Sequence, residues 1–232
     1  MPEQSTDPQA ADPGREARGL PLVMVLLGLT VVSGLIDAVS YLGLGHVFTA
    51  NMTGNVVVLG FAAAGAPGFS VPHTATSLVC FLLGAVAGGR VGRWRGEGSR
   101  RTWARLVLAA EAILVGASAA VAFAAPHATA TVYALIALTA FAMGLRNATV
   151  RRLGVADLTT TVLTMTLTGL AADSRAGGGS GGRSPRRSAS VVAMAAGAGL
   201  GAWLVLHHGL GIPLLVAAGA AGLFALVASG HE

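Results

Sequence analysis

The sequence has no lysine, a single cysteine and few charges of either sign. All fifteen basic residues are arginine, which reads as the bias of a GC-rich genome. A nucleic-acid binder spreads its basic charge over a soluble face. Here the arginines stand between apolar runs, so a pI near 10.9 gives no reason to expect DNA or RNA as a partner. The lone Cys80 lies in the apolar stretch 77–87, which excludes a disulfide framework and a cysteine metal site and leaves core packing. Without lysine there is no G-x-x-x-x-G-K-[ST] phosphate loop. G-x-S-x-G and H-E-x-x-H are missing too, as is any pair of carboxylates spaced for acid and base work on one helix. The expectation is a protein that is not an enzyme and uses neither cofactor nor metal.

What is present is apolar surface. With 53% hydrophobic and 11% charged residues and a mean hydropathy of +0.69, one soluble domain of this length could not hide it. The fold class is therefore an all-α integral membrane protein, with the lipid bilayer as its first partner. Residues 1–19 are polar and bear prolines, and are expected to form a disordered tail. Residues 20–230 form a single transmembrane domain. At about 20 residues per span, spans are expected at 20–44, 72–92, 104–125, 128–147, 187–207 and 210–229. The first is too long for a signal-peptide core and reads as uncleaved.

Two shorter segments, 48–64 and 155–172, are apolar enough to enter a membrane and too polar to cross it comfortably. Arginine position decides how they run, because cytoplasmic flanks carry the basic excess. The groups are Arg15 and Arg18; Arg90, Arg93, Arg95, Arg100, Arg101 and Arg105; Arg146, Arg151 and Arg152; and Arg175, Arg183, Arg186 and Arg187. If both short segments cross, the arginines split almost evenly between the two sides. If both re-enter on the side they came from, all lie on one face. The sequence thus predicts six transmembrane helices, two re-entrant segments and cytoplasmic termini, with a seven-span version, in which only 48–64 crosses, as the alternative. The basic Gly/Ser-rich stretch 173–190 reads as a flexible cytoplasmic loop.

An internal likeness supports six spans. "GLIDAVSYLGL" at 34–44 matches "GLRNATVRRLGV" at 144–155 with one inserted residue. The short polar segment follows each copy, placing Thr53 opposite Thr164 and Asn55 opposite Thr166. The halves are then 20–125 and 128–229, each with three spans, so the second is inverted relative to the first. That 3+3 build is common in transporters.

The string "GLIDAVSYLGLGHVFTANMTGNVVVLG" resembles the signature of the YoaK-like family of bacterial membrane proteins, catalogued as domain of unknown function 1275. The likeness runs from about residue 20 to 229. It implies a multi-spanning protein of the bacterial inner membrane and brings no established activity. The second copy, "TTTVLTMTLTG", departs from the first copy's T-G-N pattern, so a site there need not match.

Polar residues at membrane depth are functional hypotheses by default. Asn51, Thr53, Gly54 and Asn55 suit a turn followed by a helix. Glycine permits the bend, Asn and Thr cap the free N–H groups, and the helix dipole then favours an anion or polar solute. The competing reading is interhelical hydrogen-bond glue. Asp37 shares a helix face with Gly34 and Tyr41, and either exchanges a proton in the bundle or caps and pairs near the outer interface. Asn147 is its counterpart in the second copy. Glu111 reads as structural, snorkelling or bonding another span, and Asp157, followed by three threonines, as a cap. His46, His207 and His208 read as interface residues. The candidate binding set is Asp37, Asn51, Thr53, Gly54, Asn55, Asn147, Thr164 and Thr166. The expected function is transport of a small polar solute or anion, with a non-transporting scaffold or sensor as the alternative; the oligomeric state is left open.

Overall fold

A computed structural model describes residues 13–94, 100–126, 128–153, 163–179 and 184–227. Among the described residues eight α-helices follow one another: α1 Pro13–Gly43, α2 Met52–Ala63, α3 Val71–Trp94, α4 Arg100–Ala124, α5 Thr129–Leu153, α6 Leu163–Ala172, α7 Ser184–His208 and α8 Gly211–Val227. A 3-10 turn covers Arg175–Gly177. Among the described residues there is no strand.

Among the described residues five stretches are long and apolar enough to cross a membrane: Met24–Gly43, Val71–Arg93, Thr102–Ala124, Thr129–Arg152 and Pro185–His208. The other three helices are shorter: α2 has 12 residues, α6 has 10 and α8 has 17. At about 1.5 Å per residue, α8 is roughly 25 Å long, which is shorter than the expected span 210–229 and near the lower limit of about 17 residues. Leu82, Ile113 and Leu206 are all more than half exposed on the outer faces of α3, α4 and α7. Water opposes so much outward apolar surface, and lipid accepts it.

Two expectations about the connections change. Helix α1 begins at Pro13, ahead of the expected start at Leu20, so part of the expected tail continues the first helix. The stretch 173–190 is also less of a loop than its composition suggests. Helix α7 begins at Ser184, and Arg187 is buried, donating from Nη1 to the Gly169 carbonyl at 2.7 Å and to Asp173 Oδ2 at 2.6 Å. A side chain counted as a loop charge ties the end of α6 to the start of α7.

Two helix pairs are held at backbone distance by glycine. In the first, a Cβ on Gly34 would lie 2.3 Å from the Met194 carbonyl oxygen and 2.8 Å from the Ala198 nitrogen. Gly197 and Gly201 of α7 in turn meet the Val31 and Leu35 carbonyls of α1. In the second pair, Gly144 of α5 meets the Phe81 carbonyl and Ala85 nitrogen of α3, while Gly84 and Gly88 meet the Phe141 and Leu145 carbonyls. The small-residue spacing that lets membrane helices approach closely is thus used twice, with corresponding residues. Contacts advance together along both partners, so α1 runs parallel to α7 and α3 parallel to α5. Helices α4 and α8 cross in opposite directions, Gly116 facing Ala218 and Gly222 facing Ala112.

Between these pairs lies a common core. Ile36 and Val39 of α1, Val115 of α4, Leu135, Ile136 and Met143 of α5 and Leu214 of α8 are all buried in one cluster.

Candidate functional site

The chain between α1 and α2 has no regular backbone partner. Gly45 and His46 turn it with φ of +84° and +59°, and His46 is held in this unusual conformation for a non-glycine residue. Its ring nitrogen Nδ1 lies 3.0 Å from the Gly68 carbonyl oxygen, and its ring meets the edge of Tyr41. The bend is therefore at Gly45 and His46, and not at Gly54, which lies inside the first turn of α2. Gly54 serves closeness: a Cβ there would sit 2.8 Å from the Phe48 ring.

Beyond the bend, residues 48–51 are held by side chains. Asp37, two turns before the end of α1, accepts the amides of Thr49 at 3.3 Å and Ala50 at 2.9 Å on Oδ1. Asn55 is fully buried. It accepts the Phe48 amide at 2.9 Å and donates from Nδ2 to the Phe48 carbonyl at 2.6 Å and to Ser77 Oγ at 3.0 Å. Ser77 of α3 donates to the same carbonyl at 2.6 Å. Buried backbone groups without partners are costly in an apolar medium, and these three side chains satisfy them where helix and sheet do not. Asp37 thus caps the turn from deep in the fold and not from the outer interface, where the capping reading places it.

Asn51 caps α2, accepting the Gly54 amide at 3.2 Å. Thr53 is exposed and does not cap. The helix ends where Ala64 donates to Gly60 and Gly65 takes a left-handed φ of +80°, a conformation that suits glycine at a helix end. In the second half, Thr166 is buried and Thr164 exposed on α6, as Asn55 is buried and Thr53 exposed on α2. Ser190 of α7 is buried, as is Ser77 of α3. Residues 154–162 lie outside the described residues, and with them Asp157 and the threonines that follow it. Asn147 is half-buried on α5. The structure thus gathers Asp37, Asn51, Gly54 and Asn55 around one turn, while Thr164 and Thr166 stand on α6.

One constellation was not anticipated. Arg146, counted among the cytoplasmic arginines, is buried to 1% exposure. Its Nη1 donates to Glu111 Oε1 at 2.9 Å, and its Nη2 donates to Ser33 Oγ. An arginine this deep is a partner in an ion pair and not a topology signal, because an isolated guanidinium in hydrocarbon is expensive. Glu111, 0% exposed, takes the interhelical half of its expectation and does not snorkel. Its place on α4, among apolar residues that face α5 and α8, was the available signal. No group of three or more His, Cys, Asp or Glu side chains that could hold a metal occurs among the described residues.

A relative in Bacillus subtilis (strain 168), the UPF0700 transmembrane protein YoaK, is 36% identical over 148 residues, which cover 62% of this chain and 64% of the relative. The chain thus matches less than two thirds of that relative's length. No solved structure matches. The family model described as "Protein of unknown function (DUF1275)" matches residues 25–227, and this multi-pass membrane protein belongs to that family.

Proposed function

We propose that this protein moves a small polar solute or anion across the bacterial inner membrane, through a six-span bundle of two inverted halves in which α2 and α6 are re-entrant. The observation that carries the reading is the lead-in to α2. A broken backbone is kept inside an apolar bundle by Asp37, Asn55 and Ser77, with the N-terminal end of a short helix beside it. Irregular backbone at membrane depth is tolerated where it is buried in protein or lines a cavity. In this reading Asn51 and Thr53, whose side chains are exposed, touch the solute, and Asp37 and Asn55 position the turn. Thr164, exposed on α6, supplies the corresponding surface, the buried Thr166 takes the place of Asn55, and Asn147 is the counterpart of Asp37 in the second copy.

The topology has its own support. His46 and Gly68 meet across the segment that contains α2, so the chain leaves and returns at one level, as a re-entrant helix does. The parallel run of α1 and α7 agrees with an even number of crossings before α7 and opposes the seven-span alternative. The matched glycine contacts support the repeat. Placing Arg146 in the bundle lowers each arginine tally by one and leaves the preference for six spans, with both termini cytoplasmic, unchanged.

A scaffold or sensor is the second reading, favoured by one fact: both polar atoms of Asn55 are already engaged by neighbours. Purified protein in liposomes separates the two. A ligand found by thermal stabilisation should show a flux that falls in Thr53→Val and Asn51→Ala while the folded protein survives. Unchanged flux in both removes the site. For topology, cysteines at Gly65 and Gly177 should react with an impermeant thiol reagent from opposite sides; labelling from the same side removes the inverted halves.

A further inference from the structure

Two buried carboxylates and a buried guanidinium lie inside this bundle. Arg146 of α5 donates to Glu111 of α4 at 2.9 Å and to Ser33 of α1, one helical turn before Asp37 on the same face of α1. Asp37 and Glu111 are 5% and 0% exposed. Helix α8 carries no ionisable residue, and α7 carries none between Ser188 and Leu206. On α5 the other ionisable groups are Tyr133 and the exposed Arg151 and Arg152, on α4 Arg100 and Arg101 at its start and the exposed Arg105, and on α1 beyond Met24 only Tyr41. Helix α3 contributes His73, Cys80, Arg90 and Arg93. Arg187, also buried, is engaged with Asp173 and Gly169 where α6 meets α7.

Among the described residues, one buried cation in this part of the bundle is thus set against two buried acids. With all three ionised the cluster holds an excess negative charge in a medium that penalises buried charge by several kcal/mol even after relaxation, as an order of magnitude. The hydrogen bonding is also unfinished: Glu111 Oε2 and Arg146 Nε have no partner among the described residues. A single proton removes the excess charge, and removing either acid removes the need for it.

We propose that Asp37, Glu111 and Arg146 form an internal binding site for one exchangeable proton. The proton is assigned to the cluster and not to one residue, since either acid, once neutral, leaves the other balanced by the arginine. It enters as H+ onto a carboxylate oxygen and leaves the same way, with no other bond made or broken. The site connects to the lead-in of α2, because the carboxylate oxygen that holds the Thr49 and Ala50 amides belongs to the same Asp37. A neutral Asp37 holds those amides less strongly than an anion does, so proton occupancy bears on the α2 turn. The site itself does not depend on transport.

Infrared spectroscopy of the purified full chain in lipid tests it, with hydrogen–deuterium exchange to mark carboxylic acid groups. The wild type should show a protonated-carboxyl band that titrates with pH and shifts in deuterium oxide. Asp37→Asn and Glu111→Gln, which keep the acceptor oxygens facing the amides and Arg146, should each abolish it, since the remaining acid is balanced by the arginine. Absence of the band in wild type at every pH where it stays folded overturns the proposal, as does its survival in either variant. Should a variant not fold, the wild-type titration still decides between a proton site and a permanently ionised cluster. The measurement needs no substrate, so a band without any solute flux keeps the proton site and removes the transport reading.

Discussion

Asn55 and Phe48 exchange two hydrogen bonds, the amide of Phe48 going to Oδ1 at 2.9 Å and Nδ2 to the Phe48 carbonyl at 2.6 Å. One side chain thus does for residue 48 what a neighbouring strand would do. The consequence is a measurable asymmetry between Asn55 and its helper Ser77. Asn55→Leu strands a buried N–H and weakens the hold on the carbonyl, at about 1–3 kcal/mol for each group left without a partner. Ser77→Ala leaves the carbonyl with Asn55 and costs less, about 1 kcal/mol. Thermal unfolding in detergent should rank wild type above Ser77→Ala and Ser77→Ala above Asn55→Leu; equal melting of all three would show that these bonds do not hold the turn.

The glycine contacts predict opposite effects of one substitution at two helical positions. A Cβ on Gly84 would come 2.1 Å from the Phe141 carbonyl oxygen, which is backbone and cannot turn aside, whereas a Cβ on Gly60 meets nothing within 4 Å. Gly84→Ala should therefore lower stability by about 1–3 kcal/mol through overpacking. Gly60→Ala should be neutral or raise it by up to about 1 kcal/mol through helix propensity. Melting temperatures moving the same way in both variants would contradict the close approach of α3 and α5.

How far the sequence reveals this arrangement depends on the kind of signal each residue carries. Long apolar runs give the helical membrane class, because about 20 apolar residues in a row have few other uses. Asn51 and Asn55 announce a broken segment, because clustered polar groups are costly in hydrocarbon, and the structure has Asn51 capping α2 and the Asn55 side chain reaching back from α2 to the turn before it. Arg146 is misread for a physical reason: composition separates loop arginines from span arginines only by distance to a flank, and Arg146 lies near Arg151 and Arg152 in sequence. Its partner Glu111 is thirty-five positions away, and no local pattern pairs them. The bend is misplaced for a similar reason. Gly54 looks like the flexible residue, yet the positive φ values fall on Gly45 and His46, where the chain must reverse to bring Thr49 and Ala50 back to Asp37.

The ion pair itself makes a prediction about stability that is independent of any proton. Arg146→Met leaves Glu111 buried without its cation, a change that typically costs about 3–5 kcal/mol. Replacing both residues by Met removes the uncompensated charge, so the double variant should be more stable than Arg146→Met alone and close to wild type. Such non-additivity is what contacting residues show in a double-mutant cycle. Strictly additive losses would mean that Arg146 and Glu111 do not pair in the folded protein.

Arg187 offers a test of how α6 is held. The helix has ten residues, too few to be stable by propensity alone, and its end is fastened by the bonds from Arg187 to the Gly169 carbonyl and Asp173. Asp173 is more than half exposed, so the ion pair contributes little against solvent screening, and the carbonyl bond from a nearly buried guanidinium does most of the holding. Arg187→Ala should therefore speed hydrogen exchange in α6 and the 3-10 turn after it, with α1 and α5 unchanged, while Asp173→Asn should leave exchange nearly as in wild type. Equal acceleration in the two variants would assign the hold to the surface ion pair, and no acceleration in Arg187→Ala would show that α6 is secured by its other neighbours.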